Sequence, residues 1–364
     1  MIFYKDDSNF IIDTQENSLP LAISSKLLFH GFKKKAKSIY SLNLLDLNIY
    51  KSVIVYFRDA KLSLEVDSEL QDWAEKNYID MNKFSALTDY LRKYKDGITN
   101  TNDFKDFSSS LNKSGFARKL FNHQLKAAFH LLKCKTSANF SVPGSGKTTV
   151  VLSVFHYLRL SKKTDNIFVI GPLSCHDAWK KEYKECFNED ASVNIFAGGD
   201  INYRRNKYVN NDYKVLNLST YATVTNDIDY LEKFIYKSKP FLVIDEAHYI
   251  KKEDGNWAQS IMRLAKLAKY KVILTGTPMP QSFKDLFNLF DFLLCEYSPF
   301  DSYVKKKIIS LEESDGTEEI KTILDNKISP FFYRVRKKEL NLPDQIIRTI
   351  DIQMNDYEKK VYEF

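Results

Sequence analysis

The feature that most constrains this chain is a glycine-lysine turn set against an apolar run: Pro143-Gly144-Ser145-Gly146-Lys147-Thr148, then Val150 to Leu160, which reads as a helix. Two glycines let the backbone curl tightly, so that amide groups and the N-terminus of the next helix point at an anion. Such a turn is a phosphate loop, and its structural context is a strand that opens into a helix. The surrounding sequence fits. From Arg118 onward short apolar runs alternate with helical patterns, among them Ile167-Phe168-Val169-Ile170, Val215-Leu216-Asn217-Leu218, Phe241-Leu242-Val243-Ile244 and Val272-Ile273-Leu274. Buried strands separated by amphipathic helices predict an α/β domain with a largely parallel sheet.

In a phosphate loop of this kind Lys147 reaches the β and γ phosphates of ATP and the Thr148 hydroxyl ligates Mg2+. Pro143, Gly144, Ser145, Gly146 and Thr149 complete the expected nucleotide-binding set. The strict pattern places glycine at position 141, where this chain has Ser141. A second constellation, Asp245-Glu246-Ala247-His248, directly follows the apolar run Phe241 to Ile244. In a parallel sheet the C-terminal strand edges line one crevice, so this strand can deliver Asp245 beside the phosphate loop. Asp245 is expected to hold magnesium through water, and Glu246 to orient and deprotonate the attacking water. The blander alternative is a helix cap with a solvated acidic pair. Third, Leu274-Thr275-Gly276-Thr277-Pro278 is a hydroxyl-rich turn after another strand. It could sense phosphate state, or it could simply end the strand.

These three motifs, in this order, resemble motifs I, II and III of superfamily 2 helicases. Leu120-Phe121-Asn122-His123-Gln124 resembles the Q motif, which implies that Gln124 recognises adenine. Gly171-Pro172-Leu173-Ser174 with Trp179 and Glu182 resembles motif Ia of the Swi/Snf branch, and Ser219-Thr220-Tyr221 resembles motif Ib. Val243 to Lys252, Leu274 to Pro280, Asp285-Leu286, Leu289 and Phe292-Leu293 resemble the same branch, as do Phe331 to Lys337 and Leu342-Pro343. The resemblance covers about residues 118 to 364. It implies a RecA-like P-loop NTPase lobe, its parallel sheet flanked by helices, in an ATP-dependent DNA translocase. It assigns His248, Thr275, Gly276 and Thr277 to coupling between motifs, and Ser174, Lys180 and Thr220 to the phosphates of one nucleic-acid strand. Phosphate contacts carry no sequence information, so the implied partner is double-stranded DNA without sequence specificity.

The departures are Gln281, where the family usually continues with a polar pair, and Tyr333-Arg334-Val335-Arg336 in place of a double arginine. A second RecA-like lobe, which in the family supplies arginines to the ATP site, is expected in a longer chain or on a partner chain. Little turnover is therefore expected from this chain alone, because such arginines contribute on the order of a thousandfold or more. An RNA or single-strand helicase remains an alternative, as does a nucleotide-gated DNA- or protein-binding regulatory module without turnover.

Composition bounds the rest. At 364 residues, with 44% hydrophobic and 28% charged residues, the chain is long enough for two folded domains. Its formal net charge of +7 permits nucleic-acid binding without demonstrating it. Basic clusters at Lys33-Lys34-Lys35, Arg204-Arg205 and Lys305-Lys306-Lys307 could add grip or be solvated faces. Four scattered cysteines with no C-x-x-C pair argue against a zinc site or disulfide framework. With no apolar run of membrane-spanning length, no membrane association and a cytoplasmic location are expected.

The domain boundaries read from the sequence are an accessory α+β domain of unknown role at 1–113, the ATP-binding domain at 114–330 and a connector toward the second lobe at 331–364. Within the first, Val53 to Phe57 and Leu62 to Val66 suggest a β-hairpin, and Leu70 to Tyr94 a helix. Polar Asp96 to Ser114 predicts a linker, and Asp356 to Phe364 an amphipathic helix.

Overall fold

The chain divides into two units, Met1–Thr99 and Asn100–Phe364. The computed structural model describes residues 1–95, 101–210, 214–279, 282–340, 354–355, 358–359 and 361. Gln281, Leu342-Pro343 and most of the helix expected over 356–364 lie outside the described residues.

The first unit runs β1 (Ile2–Asp6), β2 (Asn9–Asp13), α1 (Leu21–Phe29), β3 (Lys33–Lys34), β4 (Ile39–Leu42), α2 (Leu47–Asp59), β5 (Glu65–Val66) and α3 (Ser68–Lys95). Its sheet has the order β3-β4-β2-β1-β5. Phe3, Phe10 and Ile12 from the sheet bury against Ile23, Leu27, Val53, Phe57 and Leu70 from the helices. This α+β architecture agrees with expectation, but the hairpin does not. Val53–Phe57 lies inside α2, whose N-terminus Asp46 caps by accepting from the amides of Asn48 and Ile49. Val53 and Phe57 stand four apart and share the buried helical face, so packing overrides the strand preference of β-branched residues. Only Glu65–Val66 of the second run is a strand, and it pairs in parallel with β1.

The linker expectation also fails over residues 102–113. These form α4 (Asn102–Lys113), capped by the Thr101 side chain, with Phe107 and Leu111 buried. The Phe107 ring meets those of Phe129 and Tyr157 at 5.7 and 5.3 Å. Apolar residues at helical spacing here outweigh the polar composition between them.

The second unit continues with α5 (Asn122–Cys134), β6 (Thr136–Asn139), α6 (Lys147–Leu160), β7 (Ile167–Ile170), α7 (His176–Phe187), β8 (Val193–Phe196), α8 (Ile201–Val209), β9 (Leu216–Ser219) and α9 (Tyr221–Ser238). Then come β10 (Phe241–Asp245), α10 (Asn256–Ala265), β11 (Tyr270–Leu274), α11 (Asp285–Leu294), α12 (Ser302–Glu313), α13 (Thr317–Lys327) and β12 (Phe332–Tyr333). Seven strands pair in the order β12-β6-β11-β10-β7-β9-β8, all in parallel. Parallel neighbours require crossover helices, which cover the sheet and explain why the central strands read as continuous apolar runs. This is the expected RecA-like fold. β12, within the segment read as the start of a connector, pairs beside the strand that feeds the phosphate loop.

Two of the three basic clusters are largely used internally. Arg204 is buried, and its guanidinium donates to both carboxylate oxygens of Asp227, at 2.7 and 3.3 Å. Lys305 pairs with Asp291 and Glu253, and Lys307 with Glu319. Among the described residues no helix is long and apolar enough to cross a membrane.

Candidate nucleotide site

The phosphate loop leaves β6 and enters α6 through Gly144 and Gly146, whose φ values of 78° and 79° lie in the left-handed region. That φ holds Gly146 to glycine, and a Cβ there would also displace the Gln124 side-chain amide. Lys147 sits in the first turn of α6 and donates to the Ser141 carbonyl at 3.1 Å. Burial pushes its ammonium below the ordinary lysine range, while the nearby charges of Glu246 and Asp245 oppose that shift. The lysine and the acidic pair therefore share one electrostatic environment. Ser141 has a role of its own: its hydroxyl accepts from the Val335 amide at 3.0 Å, tying the loop to the residues after β12.

Asp245 ends β10 and is held on several sides. The Trp179 indole donates to Oδ2 at 2.8 Å, the Glu246 amide to Oδ1 at 3.0 Å, and the Tyr221 hydroxyl to the backbone carbonyl at 2.6 Å. The Cys175 thiol lies beside it, pushed up to about 12 by burial and then by the Asp245 charge. Glu246 has φ 51°, a conformation costing on the order of 1–3 kcal/mol in a residue other than glycine, and such strain clusters at active sites. His248 Nδ1 lies 3.2 Å from Glu246 Oε2. Among the described residues no three His, Cys, Asp or Glu side chains converge as a metal cage. Magnesium is ordinarily held by one or two carboxylates plus substrate phosphates rather than by such a cage, and Asp245 places one carboxylate at the end of β10.

The third motif meets the first directly. Thr275 is buried at the end of β11, and a Cβ on Gly276 would come within 3.0 Å of the Pro143 ring. Thr277 donates its amide to the Thr275 hydroxyl at 3.2 Å. Gln124 is nearly buried; its amide accepts from the Phe121 backbone at 3.0 Å and donates to the Ser145 carbonyl at 3.1 Å. It thus braces the loop, and with Phe121, His123 and Tyr333 it lines a cleft of about 620 Å3. The Phe121 and His123 rings stack there, 5.8 Å apart. Thr149 donates to Glu182, which also receives both bonds from Arg118, so α6, α7 and the segment before α5 are tied at one carboxylate.

The expected nucleic-acid residues are less concentrated. Ser174 is exposed after β7, and Thr220 follows the neighbouring β9. Thr220 also caps α9, accepting from the Thr223 amide at 3.2 Å. Lys180 pairs with Asp177 at 2.6 Å. What sequence reasoning missed is that Trp179 and Tyr221, from the segments carrying these residues, both bond Asp245. No spacing rule signals a bond between a helix and a strand end so far apart in sequence. Trp179→Phe removes the indole N–H while keeping an aromatic ring. We expect half-saturating magnesium for nucleotide turnover to rise about tenfold or more, as for lost outer-shell partners elsewhere. Manganese binding by electron paramagnetic resonance with a non-hydrolysable ATP analogue reads the same change; an unaltered metal dependence would show the bond to be incidental.

A parallel sheet with a phosphate loop after β6, an acidic pair ending β10 and a sensor-like turn after β11 defines a RecA-like P-loop lobe. Residues 123–364 match the SNF2-related domain, and the chain belongs to that family. It is 26% identical over 234 residues to the chromatin remodeling factor mit1 of Schizosaccharomyces pombe, covering 60% of this chain and 15% of that protein. It is 23% identical over 339 residues to the DNA repair protein RAD5 of Candida albicans, covering 83% of this chain and 31% of that protein. The chain thus spans less than a third of the length of either relative. The Sulfolobus solfataricus SWI2/SNF2 ATPase core, solved in complex with dsDNA, shares the fold with a TM-score of 0.52 and 24% identity, over 61% of this chain and 46% of that one.

Proposed function

We propose that this chain carries the ATP-binding lobe of a motor that hydrolyses ATP to move along double-stranded DNA without reading its sequence. The observation that carries the proposal is the meeting of three motifs at one sheet edge. Lys147 shares the environment of Asp245 and Glu246, Gly276 abuts Pro143, and Trp179 and Tyr221 hold Asp245.

In this reading Lys147 contacts the β and γ phosphates, the loop amides of Gly144 to Thr149 cradle them, and Gln124 faces the base. Thr148 and Asp245 would hold magnesium, which when bound neutralises charge on the phosphate oxygens. Glu246 orients the attacking water and accepts its proton. His248, Thr275, Gly276 and Thr277 relay nucleotide state between motifs, and Ser174, Lys180 and Thr220 contact one strand. A second RecA-like lobe completes the site. The chromatin remodeling and DNA repair relatives, and the solved core bound to dsDNA, support DNA as the track. Four free cysteines suit a reducing compartment, here the cytoplasm.

The test is ATP turnover by this chain and by a protein extended through a second lobe, each without nucleic acid and with single-stranded DNA, RNA or duplex DNA. We expect slow turnover from the chain alone and the greatest stimulation of the extended protein by duplex. Preferential stimulation by RNA or single strands would replace the translocase with a strand-separating helicase. Silence throughout would leave a nucleotide-gated binding module.

A further inference from the structure

The first unit lies outside the region that matches the SNF2-related domain, yet it carries a marked asymmetry of charge. Over residues 1–99 Lys and Arg balance Asp and Glu at fourteen each. Between Glu16 and Asp46, however, there is no acidic residue at all, while Lys26, Lys33, Lys34, Lys35 and Lys37 all fall in that stretch. The fold brings most of them to one border. β3 is the edge strand of the five-stranded sheet and pairs only with β4, Lys33 opposite Ser41 and Lys34 opposite Tyr40. Lys33, Lys34, Lys35 and Lys37 are all exposed. None of the five lysines makes an ion pair among the described residues, in contrast to Lys5, which pairs with Glu69. Lys26 and Lys34 instead lie over the Tyr56 and Tyr40 rings, at 4.6 and 5.6 Å.

The same border exposes apolar surface. Leu28 and Phe29, at the end of α1, are 54% and 88% exposed. A tight turn joins them to β3: the Gly31 amide donates to Leu28 and the Phe32 amide to Leu27, with Gly31 at φ 91°. Phe32 is buried and fixes the turn. A charge run alone is most often a solvated face. Among the described residues no carboxylate pairs with these lysines, so the sheet edge beside exposed Leu28 and Phe29 presents positive charge together with apolar surface.

We propose that this edge is a second nucleic-acid contact, gripping the phosphate backbone of duplex DNA through Lys33, Lys34, Lys35 and Lys37. The choice of DNA over another polyanion rests on the motor function proposed above. Lysines act on phosphates as mobile point charges, which suits a contact that must not read sequence. Each phosphate neutralised releases condensed counterions, so such a contact leaves a signature in the salt dependence of binding.

The experiment uses the full chain without nucleotide. Binding of a fluorescent duplex is measured by anisotropy across a salt series for the parent, for the combined K33Q, K34Q, K35Q and K37Q variant, and for a K76Q and K83Q control on α3. Thermal melting followed by circular dichroism checks that each variant is folded. We expect the fourfold variant to bind at least tenfold more weakly. Its slope of log affinity against log salt should be shallower by about 2 to 4 units, since each contact contributes about 0.9. The control should match the parent. Unchanged affinity and slope in the fourfold variant would overturn the proposal. So would loss of binding to phosphatidylserine vesicles with duplex binding intact, which would make the edge a membrane contact. Turnover of the protein extended through a second lobe, with the same duplex, separates the two claims. Lysine-dependent binding without DNA-stimulated turnover retains this contact and removes the motor, whereas stimulated turnover with an unchanged salt slope does the reverse.

Discussion

Glu246→Gln lowers ATP turnover by roughly a hundred- to ten-thousandfold once the completing lobe is present, while nucleotide affinity stays near that of the parent. Glutamine keeps the shape and can still bond a water, but it cannot accept the proton that the attacking oxygen must lose. Binding should survive because Glu246 follows the end of β10, outside the Gly144 to Thr149 loop and the start of α6 that we propose cradle the phosphates. The backbone at Glu246 is held at φ 51° by its place between β10 and the turn that follows, so the substitution leaves the strain unchanged. Phosphate release under saturating ATP and duplex DNA, with the affinity of a fluorescent ATP analogue measured alongside, checks both halves. Equal losses of binding and turnover would move Glu246 from proton acceptor to structural support.

Lys147→Ala should act on both quantities. Removing a hydrogen-bonded cation from an anionic ligand costs about 1.5–3 kcal/mol, which is about 10- to 150-fold in affinity. Turnover should fall further, because preorganised positive charge contributes most where negative charge develops. Lys147 also spans the loop to the Ser141 carbonyl. Its loss therefore also removes an internal brace, and a modest drop in melting temperature should accompany the loss of binding. Calorimetric titration with ATP and magnesium, on a variant shown to be folded, measures the effect. Affinity within twofold of the parent would place the phosphates elsewhere.

Legibility differed between the units. In the second, the apolar runs 167–170, 241–244 and 272–274 became strands at the predicted places, because a strand buried on both faces needs no partner pattern to be recognised. The acidic pair Asp245-Glu246 and the hydroxyl-rich turn Thr275-Gly276-Thr277 follow the second and third of them. In the first, Val53 to Phe57 reads as a strand yet lies in a helix, because β-branched residues bury equally well on either element and the choice falls to neighbours distant in sequence. Residues 102–113 look like a linker by composition. Only the partners of Phe107 and Leu111 make them a helix.

The sequence by itself determined the phosphate loop, the acidic strand end and the parallel α/β class, since each depends on local backbone chemistry and short-range periodicity. Tertiary structure alone decided which side chains hold those groups in place. Trp179 and Tyr221 reach Asp245 from two other strand-to-helix crossovers, Ser141, where the strict pattern has glycine, accepts from the Val335 amide, and the buried Arg204 pairs with Asp227. A buried polar group must find a partner wherever the fold brings one, and nothing in the spacing of residues along a chain states which partner will arrive.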